Sequence, residues 1–354
     1  MHPRLKRSVD ARLTADGTLY LLRGPGQPEL AIRGDGPRAA RLMRLLDGSR
    51  TLEEVVGELD GERSNTRAAV AALVGAGAID DADEDLRHLT AHDAERFERQ
   101  LAFYGDVLPA GDHPARAQAR LREATVCLLG VGGLGSWVAY ALGCSGIGRL
   151  VGVDGDRVEL SNLNRQVLFG EGDIGELKAL AARRPLAALD SRLAFEPVVR
   201  TLDSVDAVRA VIAGSDVVVS TVDQPPHLIS RWVDEACFAA GIPYVTTSQH
   251  PPKVRIGPTY VPGRTGCFAC QERAYRRAYP LYEQLEEAEQ VRPPSATYGP
   301  ACAVVGALAA GEVVRLLAGL GEPETIGNAL LFDLHTFALE REPVPRDPGC
   351  PVCA

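Results

Sequence analysis

A run of apolar residues that stops on four closely spaced glycines constrains this chain more than anything else in it. ATVCLLGVGGLG (124–135) places Gly130, Gly132, Gly133 and Gly135 directly behind a strand, and SWVAYALGCSGI then carries a helix. Glycines let a backbone turn tightly and approach a phosphate, and the helix N-terminus adds free N–H groups and a positive dipole end. RLVGVDGD (149–156), DVVVSTVD (216–223) and IPYVTT (242–247) read as further buried strands, with the helix HLISRWVDEACFAAG between the last two. Strand–helix alternation predicts an α/β fold built on a mostly parallel sheet covered on both faces. By itself the glycine pattern fits a nicotinamide-dependent oxidoreductase as well as an ATP enzyme.

The residues that follow favour ATP. Asp154 lies about 20 residues past the glycine loop, where a carboxylate reaches a ribose hydroxyl. The run Asp156-Arg-Val-Glu-Leu-Ser161-Asn162-Leu163-Asn164-Arg165-Gln166 comes next. A simple dehydrogenase has no need for that cluster, but triphosphate chemistry does. Arg165 can fork two phosphate oxygens and Asn162 can position another. Basic residues in this chain are overwhelmingly arginine, and Lys178 is one of only three lysines, with Lys6 and Lys253. A compact ammonium suits charge developing between phosphates.

GVGGLG, DGDRVELSNLNRQ, Lys178 and STVD together resemble the ThiF/MoeB/HesA superfamily of ubiquitin-activating type, over residues 95–340. The resemblance implies a Rossmann-like sheet that binds ATP. It places Gly130, Gly132, Gly133, Gly135, Asp154, Asp156, Asn162, Arg165, Gln166, Lys178 and Asp223 around the nucleotide. Asp154 would bind the ribose, and Asn162, Arg165 and Lys178 the phosphates. Asp223 would hold Mg²⁺ beside the α-phosphate; the family usually has Asn after it, and here Gln224 stands there. ERFERQL (95–101) resembles a segment whose second arginine, Arg99 here, reaches the ATP of the other subunit, which implies a homodimer. The implied reaction is attack of a carboxylate on the α-phosphate, giving an acyl-adenylate and pyrophosphate, with Arg99, Arg165, Lys178 and Asp223 as the catalytic set.

Eight cysteines in a long chain, for which no secretory signal is expected, are read for metal or catalysis before disulfides. Cys267-Phe-Ala-Cys270 and Cys350-Pro-Val-Cys353 form two C-x-x-C pairs suited to one structural Zn²⁺, with redox disulfides as the alternative. The pairs lie some 80 residues apart, and the resemblance implies that such distant pairs join around a single zinc. Cys127, Cys144 and Cys237 fall on strand or helix and read as packed residues. Cys302, at a loop-to-helix start, reads as more exposed. The stretch 280–297 falls where the family carries a crossover loop and holds no cysteine, which argues against a thioester or persulfide step.

Residues 1–82 form a module of their own. Two short alternating runs, 18–24 and 29–35, suggest a hairpin, and three helical patterns follow, one opened by the capping pair Thr51 and Glu54. The acidic run DDADED suggests a linker at 83–94 before the 95–354 adenylation domain. A small α+β, winged-helix-like module has the element order of a DNA reader, but residues 1–90 hold 13 Lys and Arg against 15 Asp and Glu, whereas groove readers show a basic face. The net charge of −9 for the whole chain agrees, so no nucleic-acid partner is expected. No run of about 20 apolar residues marks a membrane span; the expected compartment is the cytoplasm. The order of elements resembles PqqD-like peptide-recognition domains, which microcin-type peptide-adenylating enzymes join to the same ATP domain. That implies a precursor (leader) peptide as partner. The alternatives are activation of a ubiquitin-like sulfur carrier protein and a non-catalytic peptide-presenting protein.

Overall fold

The apolar segments read as strands assemble into one large sheet. The computed structural model describes residues 1–22, 30–33, 35–59, 63–109, 112–288 and 296–353, and they divide into two units, Met1–Ala119 and Arg120–Ala354. The first unit runs β1 (Pro3–Leu5), β2 (Asp10–Leu13), β3 (Leu19–Leu22), β4 (Leu30–Ile32), α1 (Gly36–Leu45), α2 (Leu52–Glu58), α3 (Arg63–Gly75), β5 (Ile79–Asp81), α4 (Ala82–His88), α5 (Ala91–Arg96) and α6 (Glu98–Val107), up to α7 (Pro114–Glu123). The expected hairpin is present as β3 and β4, joined by β2 into a three-stranded antiparallel sheet, while β1 pairs with β5. The turn expected between the hairpin strands, 23–29, lies outside the described residues. Leu19, Leu21, Leu42, Val55, Val70 and Leu73 bury the helices against β3. Thr51 and Glu54 form the reciprocal capping box at the start of α2, a cap that stabilises by about 1 kcal/mol.

Residues 83–94, expected as a linker, are folded into α4 and α5. Asp81 accepts from the Asp83 N–H, acids fill the first turn of α4, and Arg87 and His88 its last. That order suits the helix dipole. The acidic run is therefore a helix start, and Asp85 within it is buried.

The second unit contains β6 (Thr125–Leu129), α8 (Gly133–Ser145), β7 (Arg149–Val153), α9 (Lys178–Ala181), α10 (Arg183–Leu189), β8 (Ala194–Val198), α11 (Val205–Ile212), β9 (Val217–Ser220), α12 (Leu228–Ala240), β10 (Tyr244–His250), β11 (Lys253–Tyr260), α13 (Phe268–Ala278), α14 (Tyr282–Glu287), α15 (Gly299–Ala318), β12 (Asn328–Asp333) and β13 (Leu339–Pro343). Its eight strands order as β13-β12-β11-β10-β9-β6-β7-β8. The five from β10 to β8 are parallel, and β11, β12 and β13 extend the sheet antiparallel. α11 and α12 cover the face that carries Cys127, Leu129, Val151 and Val153. α8 and α15 pack on each other, and α15 also packs on β10 and β11. α15 is long and apolar enough to cross a membrane by composition alone, yet Cys302, Val305, Ala309 and Val313 along it are buried in this core.

The chain leaves β6 for β7 and β8 on one side, then returns to β9 on the other. Strand order reverses between β6 and β9, so a crevice opens at their carboxyl ends, where open α/β sheets bind ligands. The glycine turn follows β6, and Asp223 follows β9.

Candidate active site and thiolate cluster

The glycine turn divides its work. Gly130 has φ +88°, and its N–H donates to the Val153 carbonyl at 2.8 Å. A Cβ on Gly135 would lie 2.0 Å from the Gly130 oxygen, so that glycine lets α8 pack onto the turn. Gly132 and Gly133 instead border the site: a Cβ on Gly132 would meet Gln166 at 3.7 Å, and one on Gly133 would meet Cys302 at 3.2 Å and Arg165 at 3.5 Å. Gly132 caps α8 without a side-chain bond, which leaves the first N–H groups of a 13-residue helix facing the crevice.

These roles separate by substitution. Gly135→Ala forces a methyl group into backbone, an overpacking cost of about 1–3 kcal/mol, and is expected to weaken ATP binding at least tenfold. Gly172→Ala, whose Cβ meets nothing within 4 Å, should bind ATP as wild type does. Equilibrium titration with a fluorescent ATP analogue measures both.

Asp154 is buried, and its carboxylate accepts from the Val131 and Asp156 N–H groups, both at 2.8 Å. Burial raises its pKa against the pull of those two donors. It therefore ties the glycine turn to the end of β7 and still has lone pairs for a ribose hydroxyl. Lys178, at the start of α9, places Nζ 2.8 Å from Asp156 Oδ2; the lysine side chain is 9% exposed and the aspartate 76%. Asn162 is buried in a short 3-10 turn, where its Oδ1 accepts from the Glu159 N–H. Arg165 Nη1 donates to the Ser161 carbonyl at 2.7 Å and to Asn164 Oδ1 at 3.0 Å. Gln166 is buried with Oε1 unpartnered. The expected residues Gly132, Gly133, Arg165 and Gln166 are thus brought together, and Asp154, Asp156 and Lys178 form a linked set beside them.

Asp223 is exposed three residues past Ser220, with no partner among the described residues. A single free carboxylate beside a phosphate site suits Mg²⁺, which is held by one or two carboxylates and substrate oxygens. Arg99 lies in the first unit, on α6, exposed and without a partner among the described residues.

Several residues of the site carried no signal of their own. Thr221 donates to the Leu129 and Gly130 carbonyls at 2.9 and 3.0 Å and fixes the turn; its place in STVD was the only hint. Trp137 donates to the Arg165 carbonyl at 3.0 Å, and the Ser136 hydroxyl accepts from the Val167 N–H. Cys302 is a correction. It is fully buried, 3.3 Å from Thr297 Oγ1 and within 3.8 Å of Gln249 Nε2, and a Cβ on Gly133 would touch it at 3.2 Å. The α15 start is covered by α8, which a linear sequence does not show. Cys144 is exposed, not packed, whereas Cys127 and Cys237 are buried. Burial pushes the Cys127 thiol up to about 12 and that of Cys237 higher still, so neither is a nucleophile at neutral pH. Of the stretch 280–297, residues 289–295 lie outside the described residues.

Cys267, Cys270, Cys350 and Cys353 converge, all four Sγ atoms within 4.8 Å of one another. Cys267 and Cys350 are 3.4 Å apart, Cys270 and Cys353 also 3.4 Å, and Cys267 and Cys270 3.9 Å. A disulfide needs about 2.05 Å, whereas four thiolates bound tetrahedrally at about 2.3 Å lie about 3.8 Å apart. The donor set and spacing fit Zn²⁺ in a closed, structural site. Asp234 supports it by accepting from the Phe268 and Ala269 N–H groups at 3.0 and 3.1 Å and from the Tyr244 hydroxyl at 2.6 Å.

The ThiF family model matches residues 97–352. A sulfur carrier protein adenylyltransferase of Thermus thermophilus is 34% identical over 269 residues, 75% of this chain and 92% of that protein. The molybdopterin-synthase adenylyltransferase of Escherichia coli is 29% identical over 262 residues, 73% of this chain and 99% of that one. The structure of E. coli MccB with ATP superposes over 100% of both chains with a TM-score of 0.76 at 24% identity, a likeness of fold.

Proposed function

The chain belongs to the ThiF family, and from that premise we propose that it adenylates a carboxylate on a ribosomally made precursor peptide, in peptide natural-product maturation. The adenylyltransferase activity comes with the family and with relatives named for it. A carboxylate is already ionised at neutral pH and needs no base. One carboxylate oxygen bonds to the α-phosphorus, the bond to the bridging oxygen breaks, and pyrophosphate leaves. The N–H groups at Gly132 and Gly133 and the fork of Arg165 orient the phosphates, Asp154 holds the ribose, and Lys178 turns from Asp156 to the developing charge. Mg²⁺ on Asp223 would neutralise α-phosphate charge. Exposed Arg99 is assigned to the partner subunit's nucleotide, so the working unit is a homodimer.

One observation carries the peptide reading. The two adenylyltransferase relatives match about three quarters of this chain, while the MccB fold spans all of it. MccB is a microcin C7 biosynthetic enzyme solved with N-formylated MccA. The extra first unit supplies an open sheet edge: all four residues of β2 are exposed, which suits a peptide added as a strand. Activation of a ubiquitin-like sulfur carrier is the second reading, favoured by the 34% identity to the Thermus enzyme. A non-catalytic role fits less well, because Asp154, Asn162, Arg165, Lys178 and Asp223 are all present.

ATP–pyrophosphate exchange separates these readings. Exchange is expected with a short peptide encoded beside this protein's gene, and Asp223→Ala should abolish it. Exchange with a Gly-Gly-ended carrier, and with no such peptide, would overturn the peptide reading.

A further inference from the structure

A second concave site lies one strand away from Asp223. β9 and β10 run parallel, with Ser220 opposite Thr246. Asp223 therefore leaves the sheet at the same carboxyl end where Ser248, two residues further along β10, pairs with Arg255 of β11. Beyond them opens a cavity of about 550 Å³ whose walls include Ser248, Lys253, Arg255, Tyr275, Tyr279 and Glu342. Tyr282, also in its wall, packs edge-on against His227, ring centroids 6.1 Å apart. His227 is four residues after Asp223, so the cavity adjoins the reactive end of the crevice.

Among the described buried side-chain atoms of its lining, one nitrogen is left unmatched. Arg255 Nη1 donates to the Tyr275 hydroxyl at 2.9 Å and lies 3.4 Å from Glu342 Oε2. The Tyr275 hydroxyl donates to Glu342 Oε1 at 2.6 Å and accepts from Gln271 Nε2 at 2.8 Å. Burial pushes the Tyr275 phenol up to about 12, so it stays a neutral donor. Arg255 Nη2 is buried and has no partner. A buried guanidinium N–H left unmatched is costly, and an acceptor placed there recovers that cost. Charge points the same way. Lys253, Arg255 and His250 line the cavity, with Glu342 the one acid among its described lining residues, and the Lys253–Glu340 pair is exposed and weak. Tyr279, Tyr282, Val254 and Leu331 give the remaining wall an apolar character.

We propose that this cavity is a specificity subsite that takes an acidic side chain of the substrate peptide, next to the carboxylate being activated, with its carboxylate on Arg255 Nη2. The subsite rests on the peptide reading, and it selects which carboxyl group reaches the α-phosphate by fixing its neighbour.

Calorimetric titration without nucleotide tests it, using the blocked dipeptides N-acetyl-Leu-Glu-amide and N-acetyl-Leu-Gln-amide at millimolar concentration. Wild type should bind the Glu peptide about tenfold more tightly, the scale of a charge-assisted bond. Arg255→Gln should erase the preference and Arg255→Lys should keep part of it, with ATP affinity unchanged in both. Equal binding of the two peptides, no saturable binding of the Glu peptide, or a preference that survives Arg255→Gln would overturn the subsite. The wild-type comparison decides even if a variant folds poorly. Binding as expected without adenylation of any peptide would overturn the proposed function and not the subsite; adenylation indifferent to the neighbouring side chain would do the reverse.

Discussion

Lys178→Ala is expected to slow adenylate formation by about 10²–10³-fold, the scale for losing one preorganised charge partner of a transition state, while ATP affinity changes far less. The asymmetry follows from the geometry. The Lys178 ammonium is buried against Asp156, which is itself largely in solvent. Such a pair is easily exchanged for a phosphate oxygen, and a buried lysine cannot follow a charge into water. Lys178→Arg should rescue little, because the planar guanidinium is larger and meets phosphate in a different geometry. Asp156→Asn should be mild by comparison, since the lysine loses only its resting partner. Single-turnover formation of the adenylate reads the chemical step, and nucleotide titration reads binding. Equal losses in both would show that Lys178 only holds ground-state ATP.

Cys270→Ser is expected to remove bound zinc and lower the thermal midpoint by about 10 °C, as loss of several kcal/mol does in a unit of this size. The cluster joins α13 to the C-terminal segment, which Arg273 and Arg277 also hold through Asp347. α13 begins at Cys267 and Cys270 and carries Tyr275; β13 carries Glu342 and leads to Cys350 and Cys353. A Zn²⁺ held by the four thiolates would therefore pin both walls of the second cavity, and its loss should loosen them together. Metal content by atomic emission and unfolding by calorimetry check this. A zinc-free variant with an unchanged midpoint would show that the four thiolates contribute nothing to stability.

Legibility in the sequence followed how local each constraint is. The glycine turn, the strand before it and the helix after it are contiguous, so period and composition sufficed. Asp154 was readable because its distance from the turn is set by one helix and one strand. Its second task, accepting from the Val131 N–H, depends on β6 and β7 lying side by side and leaves no mark in sequence. Cys302 was misread as exposed for the same reason, since what buries it is α8, about 170 residues away in the chain. DDADED was misread because acidity marks both solvated linkers and helix starts; only Arg87 and His88 a turn later separate the two. Arg255 gave no signal, as its significance lies in one unmatched N–H. Arg99 has a proposed role that needs a second copy of the chain, which no single-chain geometry supplies.

In the proposed reaction a substrate carboxylate attacks the α-phosphate of ATP. Supplying a peptide substrate labelled with oxygen-18 in its carboxyl groups tests it directly. After turnover and transfer to an acceptor, AMP should carry one labelled oxygen, retained from the broken acyl–phosphate bond, and pyrophosphate should carry none. Label in inorganic phosphate with ADP as the other product would place the attack on the γ-phosphate and contradict the account.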